Sequence, residues 1–532
     1  MCVYESIMSA IDNKKNKAGL LRAGLIVSIM TLLSRVLGLI RDVVFASFLG
    51  ASAGADAFFI AFKIPNFLRR LFAEGAFAQA FVPVLSEYRE KGSHEAVKNL
   101  IDRVCGCLGL TLSLLTVLVV IAAPAVAFVF APGFWNDPYK FDLVQQMLRI
   151  TFPYLLLISL TGFAGAILNS YDRFAIPAFT PVLLNICLII TAVWISPYFH
   201  QPIIALAWGV LIAGMIQLAF QIPFLWKLKL LPSPKVDFKD DGVKRILLLM
   251  APAIFGVSVS QINLLLDTML ASFLPTGSIS WLYYSDRLVE LPLGTIAIAI
   301  GTVILPSLSR EHVNKNSDQF SLTMDWALRC ILLIAIPAAI ALMILSGPIL
   351  STLFEHGETN ATDIAMSSLS LKAYALGLLA FMLIKVLAPG YFARQNTKTP
   401  VKIGIIAMFV NMVLNLVLVI PFHFYWQIGH VGLALATSLA AFLNAGLLYR
   451  GLRKDNHYQP AKGWKIYLAR IIVANLSMLA ALLFMLTLFS TWSDFSATQR
   501  VMNISFICGC GFLVYVSVLF LAGFRVKDIK KR

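Results

Sequence analysis

Charge is what this sequence has least of. Of its 532 residues, 13% are Asp, Glu, Lys or Arg and 59% are hydrophobic, whereas a soluble protein carries roughly 25% charged residues. That balance excludes an ordinary soluble enzyme. No phosphate-cradling glycine loop is present, and no nucleophile sits beside a base. The seven histidines (His94, His200, His312, His356, His423, His430 and His457) fall in loops or near the ends of apolar blocks. The seven cysteines have no histidine partners at ligand spacing, which argues against zinc. Cys105/Cys107 and Cys508/Cys510 read as small packing residues in apolar context. Short alternating segments, the mark of a membrane β-barrel, are missing too.

What remains is a series of long apolar blocks, each able to supply a spanning helix of about 20 residues. The fold class is therefore an all-α polytopic membrane protein. Fourteen spans are expected, at 22–49, 55–88, 100–131, 142–169, 178–198, 203–227, 246–274, 279–309, 322–352, 364–393, 400–421, 430–452, 464–490 and 499–523. The net charge of +16 does not mean nucleic acid here. The basic residues cluster on alternate loops, together with Lys14, Lys15 and Lys17 at one end and Arg525, Lys527 and Lys530 at the other. The positive-inside rule then puts both termini in the cytoplasm, in agreement with an even span count. Residues 1–17 read as a cytoplasmic tail, not a signal peptide, because the apolar segment that follows holds arginines and no cleavage site.

The chain also repeats itself. Ala46-Ser47-Phe48-Leu49 recurs as Ala271-Ser272-Phe273-Leu274, Pro83 and Ser86 as Pro306 and Ser309, and Asn185 as Asn411. Tyr171, Arg173 and Pro177 have counterparts in Tyr391, Arg394 and Pro400, and the offset stays at 220–226 residues. Six helices separate the copies, so the halves run parallel through the membrane, an arrangement used by transporters. The organisation expected is a tail over 1–21, an N-lobe over 22–230 (spans 1–6), a cytoplasmic linker over 231–245, a C-lobe over 246–455 (spans 7–12), and spans 13 and 14 with a cytoplasmic tail over 456–532. The linker stretch 235–246 reads equally well as a charged loop or a short interfacial helix.

Against this apolar background, a few charges stand at bilayer depth. Such groups cost a few kcal/mol or more unless they face water or a partner. In span 1, Arg35 and Asp42 share a helical face while Arg41 projects elsewhere. In span 2, Asp56, Lys63, Arg70 and Glu74 fall on one face, with Arg69 adjacent. Span 8 places Tyr283, Arg287 and Glu290 on one side. Arginine's rigid fork suits phosphate oxygens, so the functional reading is a hydrated cationic cavity for a phosphate-bearing substrate. Interhelical ion pairs that only fix packing are the rival reading. Asp267, Asn411, Asn415 and Thr437 could together hold a sodium ion, or Asp267 alone a proton. Hydrogen bonding between helices is the bland alternative. Lys372 and Lys385 either line a pathway or snorkel. Prolines and glycines such as Pro65, Gly75, Pro252, Pro292 and Gly301 permit bending. Transport would draw on a gradient, and no other cofactor is expected.

Four stretches carry a family resemblance: SRVLGLIRD (34–42), ADAFFIAFKIPNFLRRLFAEGAFAQAFVPVLSEY (55–88), YYSDRLVELP (283–292) and APGYFARQNTKTPVKI (388–403). They closely resemble the MviN/MurJ-type lipid II flippases of bacteria, within the multidrug/oligosaccharidyl-lipid/polysaccharide exporter superfamily. The resemblance runs from about residue 20 to the C-terminus. It implies fourteen spans in two six-helix lobes plus two helices, and movement of undecaprenyl-pyrophosphate-linked peptidoglycan precursor from the cytoplasmic to the periplasmic leaflet of the inner membrane. It assigns cavity roles to Arg35, Arg41 and Arg287, acidic roles to Asp42 and Asp56, and a motif role to Arg69, Arg70 and Glu74. Implied partners are lipid II, membrane lipids and cell-wall synthesis proteins. Asn415 stands where the family can carry a carboxylate. A flippase for another polyprenyl-linked oligosaccharide, a cation-coupled drug exporter and a non-transporting scaffold are the competing readings.

Overall fold

The computed structural model describes residues 2–70, 77–489 and 492–525, and all regular structure among them is helical. In chain order the α-helices are α1 (Cys2–Leu49), α2 (Ala53–Arg69), α3 (Phe77–Lys91), α4 (His94–Ile121), α5 (Ala123–Phe130), α6 (Pro138–Thr151), α7 (Tyr154–Ser170), α8 (Ala175–Ile190), α9 (Pro202–Lys227) and α10 (Asp241–Ala271). Then come α11 (Ser278–Pro292), α12 (Ile298–Val313), α13 (Ser317–Ile344), α14 (Ser346–Phe354), α15 (Ala361–Phe392), α16 (Lys398–Trp426), α17 (Gly429–Lys454), α18 (Trp464–Leu488) and α19 (Ala497–Leu521). Eleven helical segments among the described residues are long and apolar enough to cross a membrane. The fourteen-span expectation is consistent with these plus α1, the α2–α3 segment and α10. The chain is a multi-pass membrane protein.

Local sequence explains many of the helix starts. Ser93 caps α4 by accepting from Ala96 N–H (3.2 Å), and Asp137 caps α6 through Lys140 N–H (3.2 Å). Asn360 and Asp363 form a reciprocal capping box at α15, as do Ser496 and Gln499 at α19. The stretch expected as a cytoplasmic tail is described from Cys2 and runs as helix into α1. In span 2 the described helices are α2, which ends at Arg69, and α3, which begins at Phe77. Glu74 and Gly75 lie outside the described residues.

Contacts divide the chain into two compact units. The first holds Met1–Phe45 with Ala57–Gln261, the second Ala46–Asp56 with Ile262–Arg532. The division thus falls inside α10, not in the linker before it. In the first unit, Phe77, Phe81 and Phe163 pack together at centroid distances of 5.1–5.9 Å. Val84, Leu85, Leu100, Ile101, Ile167 and Leu168 close around them.

The linker segment 231–240 holds no helix and turns at Phe238–Lys239, so the interfacial helix allowed for at 235–246 is not formed before Asp241. Asp240 instead caps α10, accepting from Gly242 and Val243 N–H (2.9 and 3.1 Å). The strap lies on α4, where Asp102 accepts from Ser233 N–H (2.7 Å) through its carboxylate and from Lys235 N–H (3.0 Å) through its carbonyl. A Cβ at Gly106 would sit 2.2 Å from the Lys235 carbonyl oxygen, so only glycine admits this approach.

In the second unit α15 and α17 pack on small residues. A Cβ at Gly377 would lie 2.5 Å from Ser438 Oγ, and that hydroxyl donates to Ala373 O (2.7 Å). Near the foot of α13, Asp325 is buried and collects four donors: Arg329 Nε (2.7 Å), Tyr458 Oη (2.8 Å), Trp464 Nε1 (2.6 Å) and Ala461 N–H (3.1 Å). Burial, reinforced by the Asp325 charge, pushes the Tyr458 phenol above its usual pKa, so it stays a donor. This carboxylate ties α18 to α13. Asp325→Ala should strand those donors and cost about 3 kcal/mol. The check is the melting temperature in detergent together with protease sensitivity at 455–463. An unchanged melting temperature would show that α18 is anchored by its apolar face alone.

Candidate functional site

Several of the expected charges in the first unit have definite partners. Arg41 is 6% exposed and Asp42 1%. Although neighbours on a helix diverge by about 100°, the long Arg41 side chain folds back on Asp42. Its Nε and Nη2 donate to Asp42 Oδ1 at 3.0 and 2.6 Å, and its Nη1 to Asn185 Oδ1 on α8 at 3.0 Å. The Asn185 amide nitrogen then donates to Ser34 O (3.0 Å). The expectation that Arg41 and Asp42 point apart is thus corrected: together they form a buried, hydrogen-bonded pair joining α1 to α8. Arg35 is half-buried and makes no hydrogen bond or ion pair among the described residues. On α2, Lys63 and Arg69 are half-buried, Arg69 Nε donating to Asn66 Oδ1 (3.2 Å), while Arg70 is exposed.

Asp56 is also removed from the expected water-lining stripe. It belongs to the second unit and is 1% exposed. Its carboxylate accepts from Gly277 N–H (2.7 Å), Ser280 N–H (2.9 Å) and Ser280 Oγ (2.6 Å). This is the N-terminus of α11, where unsatisfied amides and the helix dipole favour an anion. Gly277 adopts a left-handed φ of 95°, which exposes that amide to the carboxylate.

The helix capped in this way carries the group expected to meet phosphate. On α11, Arg287 Nη1 donates to Glu290 Oε2 (2.8 Å) and Nη2 to Tyr283 Oη (3.2 Å), and its Cζ lies 4.8 Å from the Tyr283 ring centroid. The side chain is one-third exposed. An aromatic ring and a carboxylate of the same helix hold the fork in place. Lys372 and Lys385 are exposed along α15.

The four oxygen-bearing residues expected to share a cation come together on α10, α16 and α17. Asn415 Nδ2 donates to Asp267 Oδ1 (2.7 Å), and Thr437 Oγ1 to Asp267 Oδ2 (3.3 Å). The Asn411 amide, with its oxygen toward Thr437 N–H (3.2 Å), donates to Asn263 Oδ1 (2.9 Å) and Asp267 Oδ1 (3.2 Å). Asn415 Oδ1 is buried with no hydrogen-bond partner among the described residues. One carboxylate, two amide oxygens and a hydroxyl form a donor set that fits a hard cation, and rotation of either amide exchanges a donor for an acceptor.

One relation was missed in the sequence. Asp42 and Asp267 are 225 residues apart and Asn185 and Asn411 are 226, both within the offset of the internal repeat. The same carboxylate–amide pair therefore occurs once in each unit. In the first it closes on the Arg41 guanidinium. In the second the place of Arg41 is taken by Leu266, and Thr437 and Asn415 stand around the carboxylate. The constant offset was the signal that could have found it.

The fold is that of a multi-pass helical membrane protein, and it is shared with solved transporters of the MOP superfamily. A solved inward-facing multidrug resistance MATE transporter of that superfamily matches with a TM-score of 0.65 at 15% identity, covering 81% of this chain and 98% of its own. The family is narrower than that. The model for Lipid II flippase MurJ matches residues 45–503, and the chain belongs to this family. It is 51% identical over 518 residues to the probable lipid II flippase MurJ of Vibrio cholerae serotype O1, covering 96% of this chain and 98% of that protein. Against the lipid II flippase MurJ of Burkholderia cenocepacia the identity is 42%, covering 96% and 99%. A solved lipid II flippase MurJ in an inward closed conformation matches with a TM-score of 0.77 at 31% identity, covering 93% of this chain and 98% of that one.

Proposed function

We propose that this chain flips lipid II, the undecaprenyl-pyrophosphate-linked peptidoglycan precursor, from the cytoplasmic to the periplasmic leaflet of the bacterial inner membrane. The main support is family membership over residues 45–503. The charge asymmetry of the loops supports cytoplasmic termini. The substrate's pyrophosphate needs cations, and its large polar headgroup needs a hydrated route, while the polyprenyl tail can stay in lipid. The chain works as a transporter by alternating access, without bond-breaking chemistry of its own, and cell-wall synthesis proteins are its natural neighbours.

Arg287 is the first candidate to take the pyrophosphate, because it is one-third exposed and its fork is held by Tyr283 and Glu290. Arg35 is the second candidate. Arg41, tied to Asp42 and Asn185, would have to release a partner before it could bind phosphate. The coupling ion is a sodium ion or a proton, with Asp267, Asn411, Asn415 and Thr437 as the residues that would hold it.

The cation part has its own check. Sodium should raise the melting temperature of the detergent-purified chain relative to an equal concentration of a bulky organic cation, since a ligand that binds only the folded state stabilises it. Asp267→Asn should abolish the shift. Asn415→Asp should enlarge it, because a second carboxylate at 2.7 Å demands a counter-charge. A sodium shift that survives in Asp267→Asn would place the ion elsewhere. For the flipping itself, the test is labelling of lipid II at the outer leaflet of cells depleted of this protein and then resupplied. Loss and recovery of labelling are expected. Labelling unchanged by depletion would point to another polyprenyl-linked substrate.

A further inference from the structure

The ends of α12, α13 and α15 and the loop after α17, all in the second unit, surround a cleft of about 240 Å³. Glu311, His312, Lys315, Asn316, Arg394 and His457 line it. None of them belongs to the charged groups of α1, α2 and α11 or to the oxygen cluster around Asp267.

Arg394 is the unusual member. It follows the last turn of α15 and lies over the Tyr391 ring, its Cζ 5.7 Å from the centroid. The ring is itself fixed, because its hydroxyl donates to Leu448 O (2.8 Å). Arg394 Nη1 is buried and finds no hydrogen-bond acceptor among the described residues. Burial lowers the Arg394 pKa from its ordinary value, with the Asp455 charge acting against this, and the guanidinium remains charged at neutral pH. A buried charged donor with no acceptor is rare in a folded protein and asks for an anion.

The rest of the lining agrees. Lys315 adds a second positive charge, and His312 and His457 add ring nitrogens. The one acidic member, Glu311, accepts from the Thr323 hydroxyl through Oε1 (2.8 Å) and has its Oε2 buried as well, so Arg394 and Lys315 outweigh it by one positive charge. Asn316 caps the 28-residue α13, so the positive end of that helix faces the same side. We propose that this cleft binds a phosphate-bearing anion, with Arg394 and Lys315 as its principal charges. A planar fork and a mobile ammonium together suit the several oxygens of a phosphate. The volume falls below the roughly 300–1,000 Å³ of pockets that enclose drug-sized ligands, so the cleft takes the phosphate group and leaves most of the molecule outside. Two sources offer this chemistry: the headgroup of an anionic phospholipid at the membrane surface, as basic clefts beside membrane helices take up, and a small soluble phosphate.

The test uses the full chain purified in detergent. Native mass spectrometry counts bound phosphatidylglycerol against phosphatidylcholine, and thermal shift compares inorganic phosphate with chloride at equal ionic strength. Arg394→Gln and Lys315→Gln are each expected to weaken the binding about tenfold, with Arg394→Lys weakened less. Lys315 is exposed, so its substitution tests the charge without disturbing the fold. A loss of phosphatidylglycerol adducts in these variants supports the site and names the lipid source. A loss of phosphate stabilisation supports it and names a soluble one. Equal binding of both lipids with no phosphate effect, or binding unchanged in both glutamine variants, would overturn the proposal.

Discussion

Arg287→Ala is expected to abolish lipid II flipping while leaving the protein folded in the membrane. The side chain is one-third exposed, and Glu290 and Tyr283, two of its hydrogen-bond partners, lie on the same helix, three and four residues away. Removing so exposed a side chain costs little packing. Glu290 and Tyr283 can turn to water. What is lost is a bidentate, always-charged donor for the pyrophosphate. Truncating one side of such a charge-assisted contact costs about 2–5 kcal/mol, or roughly 30- to 4,000-fold in substrate capture at 1.4 kcal/mol per factor of ten. Arg287→Lys keeps the charge and loses the fork, so it should fall between. The measurement is outer-leaflet lipid II per folded protein, with folding read from the detergent elution profile. Full flipping by a folded Arg287→Ala protein would remove the residue from the substrate path.

Asp56→Ala should fail differently, by loss of the fold around α11. Three hydrogen bonds end on this 1%-exposed carboxylate, two from backbone amides that have no intrahelical acceptor. Hydrogen bonds to a charged group contribute about 1.5–3 kcal/mol each, so even with partial water rescue the variant should lose on the order of 3 kcal/mol. It should melt at lower temperature and flip poorly, because α11 carries Arg287. Asp56→Asn retains the acceptor oxygen and should recover much of the stability. If Asp56→Ala melted like the wild type and lost only transport, the carboxylate would be acting on substrate and not on the helix.

The contrast between these residues marks how far the sequence could be read. The spacing of Tyr283, Arg287 and Glu290 within one helix predicted their association, since helical periodicity alone settles which side chains meet. The oxygen cluster around Asp267 was legible because each member is a polar residue inside a long apolar span. Asp56 looked the same by that criterion, yet its partners lie more than 220 residues away at a helix terminus, and nothing local to span 2 points there. Arg41 was misdirected because Cα geometry places neighbours far apart, while a long flexible side chain can turn back through that angle. The strap over 231–240 was ambiguous for another reason: Asp240 caps α10 and also pairs with Arg103 of α4, a partner 137 residues away. Short-range patterns survived, and capping over long separations did not.

The most direct test is transbilayer movement in a defined system. The purified chain is reconstituted into liposomes holding fluorescent lipid II, and a membrane-impermeant quencher reports the fraction reaching the outer face. The account predicts protein-dependent exposure of lipid II beyond the half already outside, normal for wild type and lost in Arg287→Ala. Exposure equal to that of protein-free liposomes, from a folded wild-type protein supplied with the required ion gradient, would contradict it.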